Sequence, residues 1–164
     1  YGKHDEPIAR DAIVNGLVEE SVYAQAEEYA LDLFTAGQEW ASKQGLILVD
    51  TKYEFGMVDD ELIVIDEIHT PDSSRYWIAS EYEKRFNEGQ SQNMLYKENI
   101  RQWLIEKGFS GEGTPPVLTD EIRVTLAERY IELYTQLTGN EFHPLLGDVK
   151  SRIERNLEKA GIYA

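Results

Sequence analysis

The segment at residues 48–56 constrains the fold most, because it alternates charged with uncharged residues directly after an apolar run. In a β-strand, side chains point alternately to opposite faces, so this segment would place Asp50, Lys52 and Glu54 on one face. Charged groups in a core cost several kcal/mol unless they are paired or bound to a metal. The pattern therefore predicts a strand that lines a polar cleft.

A second strand is predicted at the start of residues 62–77, which begin with apolar β-branched residues and continue into acids and a polar loop. Only residues 57–61 separate the two segments, so we predict a β-hairpin. An odd loop would place Glu54 opposite Asp66, on one face, whereas an even loop would pair Glu54 with Ile65. No Asn-Gly or Asp-Gly marks the turn. We predict the odd loop, since it gathers the charges on one surface.

Such a surface suits a magnesium site. Two close carboxylates repel each other, and one is pushed toward protonation unless a cation lies between them. Mg²⁺ binds oxygen ligands, often one or two carboxylates, and completes its shell with water and substrate phosphates. Lys52 can hold an anion beside the metal, and Arg75 can bind a phosphate through two hydrogen bonds. These groups indicate ATP-driven activation of an acid. The alternative is a surface hairpin whose charges only pair with one another.

The same residues resemble a known family, SAICAR synthetase (phosphoribosylaminoimidazole-succinocarboxamide synthase). Residues 48–56 match its pattern aliphatic-aliphatic-Asp-x-Lys-x-Glu-Phe-Gly, and residues 66–77 resemble its segment Asp-Glu-x-x-Thr-Pro-Asp-Ser-Ser-Arg-aromatic-Trp. Residues 4–6, His-Asp-Glu, resemble a family segment that precedes a long helix. Residues 103–104 and 137–139 are similar to the longer form of the enzyme.

The resemblance implies a reaction and its ligands. ATP would phosphorylate the carboxylate of an aminoimidazole ribonucleotide (CAIR), and the amine of L-aspartate would attack the acyl phosphate. The products would be SAICAR, ADP and phosphate, in a step of de novo purine synthesis. Mg²⁺ would act as the cofactor. Two rival functions remain: another Mg-ATP-dependent small-molecule kinase, and a non-catalytic acidic interaction module.

The resemblance also implies roles for individual residues. Glu54 and Asp66 would bind magnesium. Lys52 would act in catalysis, with Asp50 as its orienting neighbour. The substrate would be bound by Asp5, Asp72, Ser74 and Arg75. Arg75 would grip the ribose phosphate with Ser74 beside it, while Lys52 and Asp5 would lie near the imidazole. Alternatively, Asp72 or Ser73 could cap a helical turn. His69 stands where the family pattern leads us to expect an aliphatic residue, and we assign it no role.

The remainder of the chain predicts a scaffold of helices. Periodic apolar residues and end signals predict helices at residues 19–43, 96–107, 119–138 and 149–159. Residues 88–93 form a polar connecting loop. Periodicity alone indicates a helix-rich α+β fold. The resemblance implies an antiparallel sheet packed against long helices, in a lobe similar to ATP-grasp proteins. We expect residues 1–164 to form a single C-terminal domain of a larger enzyme, without its N-terminal nucleotide-gripping half.

Composition narrows the possible partners. The formal net charge of −15 argues against nucleic-acid binding. Most acids, Glu81 and Glu83 among them, would lie on solvated helix faces. The chain has no cysteine and no apolar run long enough to span a membrane. These features fit a cytoplasmic protein. The family resemblance implies that its partners are ATP, CAIR, L-aspartate and the N-terminal half of the same enzyme.

Overall fold

The computed structural model describes residues 7–94, 97–111 and 113–162. The elements follow in the order α1 (Arg10–Val14), α2 (Glu20–Lys43), β1 (Leu46–Thr51), β2 (Glu54–Val58), β3 (Glu61–Ile65), β4 (Ser74–Ile78), α3 (Ala79–Asn87), α4 (Lys97–Glu106), α5 (Asp120–Thr138) and α6 (Val149–Lys159). The predicted α+β class is confirmed.

The strands form two small antiparallel sheets among the described residues. β1 pairs with β4 in one sheet, and β2 pairs with β3 in the other. The β1–β4 ladder runs from Leu46 opposite Ile78 to Thr51 opposite Ser74, with an irregularity between Leu48 and Asp50. Helix α2 packs against β1. The predicted packing of antiparallel strands on a long helix is therefore confirmed.

The prediction of one continuous strand over residues 48–56 is wrong. β1 ends at Thr51 and β2 begins at Glu54, so the segment contributes to two different sheets. At the break, the backbone N–H of Lys52 donates to the carbonyl of Ser73 over 3.2 Å. The hydroxyl of Tyr53 bonds to the ring of His69 over 2.6 Å. These contacts with distant residues carry the chain out of the first sheet.

The four predicted helices are confirmed as α2, α4, α5 and α6, with bounds that differ by at most one residue at either end. Residue 96, the first of the second predicted helix, lies outside the described residues. The Thr119 hydroxyl accepts the N–H of Ile122 at the start of α5, and Gly139 ends that helix with a φ of 70°. The sequence predicts no bounds for α1 or α3. Both are short, so each offers few apolar positions from which to read a period.

The core lies between α2, α5 and the β1–β4 sheet. Its buried side chains are Ala41, Leu46, Leu48, Tyr76 and Leu133, and Phe34, Ile78 and Leu137 pack around them. Two side-chain bonds join α2 to α5. Trp40 donates Nε1–H to the carbonyl of Leu137 over 2.7 Å, and Gln136 donates to the carbonyl of Gln44 over 3.0 Å. Helix α5 is thereby fixed beside the sheet.

Replacing Leu133 by alanine is expected to lower the free energy of unfolding by about 3 kcal/mol, since the side chain is fully buried and would leave a cavity. Leu31→Ala on α2 is the matched control. Its side chain is 63% exposed, so we expect a much smaller change. Urea unfolding of the complete protein followed by circular dichroism measures both. Equal losses in the two variants would show that Leu133 does not anchor α5.

Much of the apolar surface of this chain stays uncovered. The solvent-accessible area is 12,821 Å², whereas a compact monomer of 18.9 kDa exposes about 8,300 Å². Large apolar side chains are exposed on helices and in the connecting loops, including Phe86 of α3 at 67%, Val117 at 83% and Leu146 at 95%. None of the described helices combines the length and the hydropathy that a membrane crossing requires.

Candidate functional site

An ion pair links β1 to β4 near the end of β1. Asp50 lies opposite Arg75 in the β1–β4 ladder. Arg75 donates Nε–H to one carboxylate oxygen of Asp50 over 2.7 Å, and its Nη2 group binds the other oxygen. The resemblance implies that Asp50 orients Lys52, but the structure places its carboxylate on Arg75. A guanidinium has five N–H donors, so up to three are left for another anion.

Lys52 and Glu54 flank Tyr53 in the chain, and their side chains are in contact. The ammonium of Lys52 lies 2.5 Å from a carboxylate oxygen of Glu54, and both side chains are exposed. The backbone bond from Lys52 to Ser73 connects this pair to the loop before β4. Two of the predicted site residues are therefore in direct contact.

The predicted register of the hairpin is wrong, and with it the alignment of Glu54 with Asp66. Glu54 pairs with Ile65, the even-loop arrangement. The turn consists of Asp59 and Asp60, whose φ angles are 49° and 66°. Two left-handed residues match the twist of the flanking strands, and aspartate tolerates that conformation. Asp66 follows the end of β3 with a φ of 66°, so the strand alternation stops before it.

The two carboxylates nevertheless have the chemistry of a magnesium site. Among residues 7–94, 97–111 and 113–162, no three His, Asp or Glu side chains form a group that could hold a metal ion. Mg²⁺ requires only one or two protein carboxylates, with water and phosphates as its other ligands. Glu54 and Asp66 are both exposed acids. Their donor set fits Mg²⁺, although strand pairing does not itself bring them together.

The loop before β4 is organised by Thr70. Its hydroxyl accepts the backbone N–H groups of Asp72 and Ser73, each over 3.3 Å. The capping role that the sequence offers to Asp72 or Ser73 is thus performed by Thr70. Ser74 is 5% exposed, and its hydroxyl lies 2.8 Å from that of Thr51. This placement gives the Ser74 side chain an internal partner, in contrast to the predicted substrate contact.

Asp72 is exposed and lies on the side of the loop that faces α5. Burial raises the pKa of Tyr130 on α5, and the negative charges of Asp72 and Glu67 raise the pKa further. Both acids therefore act on the same tyrosine. Asp5, the remaining predicted substrate-binding residue, lies outside the described residues.

The structure gives His69 a position that the sequence analysis did not predict. The Nε2 atom of its ring lies 2.6 Å from the Tyr53 hydroxyl, and the two rings meet edge to face at 5.6 Å between centroids. A Cβ atom added to Gly37 in α2 would lie 2.3 Å from the His69 ring. Tyr76 donates its hydroxyl to the His69 carbonyl over 2.8 Å. His69 thus touches α2, β4 and the link between β1 and β2.

A sequence signal for this contact exists at Gly37. Glycine inside a helix costs about 1 kcal/mol relative to alanine, so a glycine in the middle of a long helix indicates a close approach by another group. Gly37 is buried in α2. The approaching group is a histidine ring, which the alternation and spacing of the sequence could not identify.

An apolar cavity of about 480 Å³ adjoins the histidine. Its lining includes Leu33, Trp40, Ile68, His69, Tyr76 and Leu137. Burial lowers the pKa of His69 and raises that of Tyr76 to about 12. Around neutral pH, therefore, the polar groups that face the cavity carry no charge.

Comparison with known sequences finds matches over nearly the whole chain. The SAICAR synthetase family model matches residues 2–116. The phosphoribosylaminoimidazole-succinocarboxamide synthase of Cytophaga hutchinsonii is 53% identical over 161 residues, which are 96% of this chain and 52% of that protein. The enzyme of Bacteroides fragilis is 47% identical over 95% of this chain and 51% of its own length. The chain thus spans about half the length of these relatives.

Solved structures agree with the sequence matches. The SAICAR synthase of Saccharomyces cerevisiae in complex with SAICAR superposes with a TM-score of 0.70 at 33% identity, over 85% of this chain and 46% of the yeast chain. A SAICAR synthetase in complex with ADP superposes with a TM-score of 0.54 at 28% identity, over 81% of this chain and 44% of that chain.

Proposed function

The chain belongs to the SAICAR synthetase family, and on that premise we propose that it is part of an ATP-dependent ligase of purine biosynthesis. The complete enzyme joins the amine of L-aspartate to the carboxylate of CAIR and produces SAICAR, ADP and phosphate. One observation carries the proposal: 53% identity to a phosphoribosylaminoimidazole-succinocarboxamide synthase along 96% of this chain. Relatives solved with SAICAR or with ADP support the same ligands here.

The reaction has two steps. A carboxylate oxygen of CAIR attacks the terminal phosphorus of ATP, and ADP leaves. The amine of aspartate then attacks the acyl carbon, phosphate leaves with the electrons of the broken C–O bond, and the amine loses a proton as the amide forms. Phosphoryl transfer depends mainly on positioning and charge neutralisation, and exclusion of water protects the acyl phosphate from hydrolysis.

Within this chain, the cationic side chains bind the anionic substrate. The exposed ammonium of Lys52 holds the CAIR carboxylate, and it exchanges part of its contact with Glu54 to do so. Arg75 binds the ribose phosphate with the N–H donors that Asp50 does not occupy. Asp50 therefore positions the guanidinium, since bidentate pairing fixes its plane.

Glu54 and Asp66 would hold Mg²⁺, which when bound supplies positive charge beside the phosphates of ATP. Both are exposed acids, and oxygen donors suit this ion. The chain has a formal net charge of −15, which disfavours the binding of anionic substrates. The positive charges of Lys52 and Arg75 offset part of this effect at the site.

The uncovered apolar surface supports the proposal that this chain packs against a further part of a larger protein. An exposed area roughly half again that of a compact monomer of this mass leaves apolar faces that need a partner. We infer that the partner is the other half of the same enzyme, because the relatives are about twice as long. A cytoplasmic location is our inference from the lack of cysteine.

The ligase is tested with the complete enzyme, ATP, Mg²⁺ and CAIR, with and without L-aspartate. We expect ADP and SAICAR in equal amounts, and sustained ADP release only when aspartate is present. Chromatography of both products measures this. Sustained ADP release without aspartate, together with a stable phosphorylated CAIR, would favour a kinase. Absence of magnesium-dependent nucleotide binding would favour an acidic interaction module.

A further inference from the structure

His69 is held by contacts to both its ring and its backbone. Its ring lies so close to Gly37 that an added Cβ would come within 2.8 Å of three of its ring atoms. Real Cβ contacts essentially never fall below 3.0 Å, so a larger residue at Gly37 would displace the ring. The backbone of His69 has a φ of 56°, in the left-handed region. A non-glycine residue stays there only when its surroundings hold it, and the bond from the buried Tyr76 to its carbonyl does so.

The held ring in turn holds Tyr53. A 2.6 Å hydrogen bond joins the Tyr53 hydroxyl to Nε2 of the His69 ring. Tyr53 lies in the link between the two sheets, and its direct neighbours in the chain are Lys52 and Glu54. Fixing the Tyr53 ring restricts the backbone from which both charged side chains extend.

We propose that His69 is a positioning residue: through Tyr53 it fixes Lys52 and Glu54 for binding of magnesium and substrate. The inference rests on the proposed function, because it takes that role for the two charged residues. Two contacts transmit the constraint, from the Gly37 backbone to the His69 ring and from that ring to the Tyr53 hydroxyl. The β2–β3 hairpin forms a sheet separate from β1 and β4, so an anchor at Tyr53, the residue directly before β2, restricts its orientation to the rest of the site.

The test measures binding of Mg·ADP to the complete enzyme by calorimetry. Tyr53→Phe removes only the hydroxyl, and we expect the Kd of Mg·ADP to rise about 10-fold, as is typical when a group that orients a metal ligand is lost. Tyr29→Phe is the matched control, since its hydroxyl accepts a hydrogen bond from Gln25 within α2, over 3.0 Å. The control should bind Mg·ADP as the wild type does.

Two further substitutions test the other contacts. Gly37→Ala should raise the Kd in the same direction, because the added methyl displaces the His69 ring. His69→Gln keeps a polar group within reach of Tyr53, so it should bind Mg·ADP more tightly than His69→Leu. The ¹⁵N resonances of the His69 ring, recorded by NMR, should shift in Tyr53→Phe and stay unchanged in Tyr29→Phe.

The outcomes separate the two proposals. Wild-type Kd values in both Tyr53→Phe and Gly37→Ala would overturn the positioning role, and so would lower melting temperatures without a change in Kd. A wild-type enzyme that forms no SAICAR would contradict the proposed function. In that case calorimetry with Mg·ADP, which needs neither CAIR nor aspartate, still decides whether His69 positions the site.

Discussion

Replacement of Glu54 by glutamine in the complete enzyme is expected to lower turnover at limiting magnesium by about 100-fold, the upper range for disturbed metal sites. Glutamine retains the size of the side chain but removes the negative charge that Mg²⁺ requires. It also removes the carboxylate that lies 2.5 Å from the Lys52 ammonium. The measurement is the initial rate of SAICAR formation over a range of magnesium concentrations. Excess magnesium should restore part of the rate if the loss is one of metal binding.

The hairpin offers a matched control for the charge change. Glu61 is an exposed glutamate at the opposite end of the same hairpin, where it pairs with Val58. Glu61→Gln changes the net charge by the same amount, and we expect its rate to stay near that of the wild type. A near-normal rate of Glu54→Gln at limiting magnesium would remove Glu54 from the metal site. A loss that excess magnesium does not relieve would indicate that Glu54 acts through Lys52 alone.

Asp66→Asn should cause a similar loss of turnover at limiting magnesium. Its control is Asp60→Asn, because both residues have a φ of 66° and asparagine tolerates that conformation equally at both positions. Comparison of the two variants separates the loss of a metal ligand from a local change in the backbone. Equal activity in the two variants would show that Asp66 does not bind the metal.

The helices could be predicted from the sequence because their signals are local. Thr119 and Gly139 bound α5 through contacts with residues at most four positions away. The apolar period of α2 is likewise visible within the helix itself. Such signals depend little on the rest of the fold, so the predicted and observed bounds agree closely.

The strands were harder to predict because distant contacts decide where they end. Alternation at residues 48–56 indicates one strand, yet bonds from Lys52 to Ser73 and from Tyr53 to His69 divide it. The hairpin register followed from the Asp59–Asp60 turn, in which neither residue is the glycine that usually marks such a turn. Alternation therefore predicted that these residues lie in strands but not where the strands end or how they pair.

Among the candidate site residues, sequence reasoning named the charged side chains but did not predict the groups that contact them. The contact of Asp50 with Arg75 joins residues 25 positions apart, and no local rule predicts it. Ser74 matches a family motif, but its hydroxyl lies inside the fold. His69 departs from the expected aliphatic residue, and its ring lies 2.6 Å from the Tyr53 hydroxyl. These features follow from packing between elements, which periodicity does not describe.

Replacing Arg75 by alanine is expected to raise the KM for CAIR about 100-fold, with a smaller change in kcat. A hydrogen bond to a charged group contributes about 1.5–3 kcal/mol, and 1.4 kcal/mol corresponds to a factor of ten. The loss has a second cause. Without the guanidinium, the Asp50 carboxylate loses the partner that neutralises it, so it repels the substrate phosphate. Steady-state kinetics at saturating ATP and aspartate measure the effect.

Arg75→Lys distinguishes a planar clamp from a simple positive charge. Lysine retains the charge but cannot present two parallel N–H groups to Asp50 and further donors to a phosphate, so we expect most of the rise in KM to persist. Arg123→Lys is the control, because that exposed arginine pairs with Asp120 one turn away in α5, at 3.6 Å. Wild-type KM values in Arg75→Lys would show that charge alone suffices.

A double-mutant cycle with Asp50→Ala tests whether the two residues act as a unit. Residues in one ion-pair network show non-additive effects. If Asp50 works by holding the guanidinium, its loss should raise the KM for CAIR when Arg75 is present. The same change should have little effect, or lower the KM, when Arg75 is already alanine, because an unpaired acid beside the phosphate is then removed. Additive effects would mean that Asp50 contributes to binding independently of Arg75.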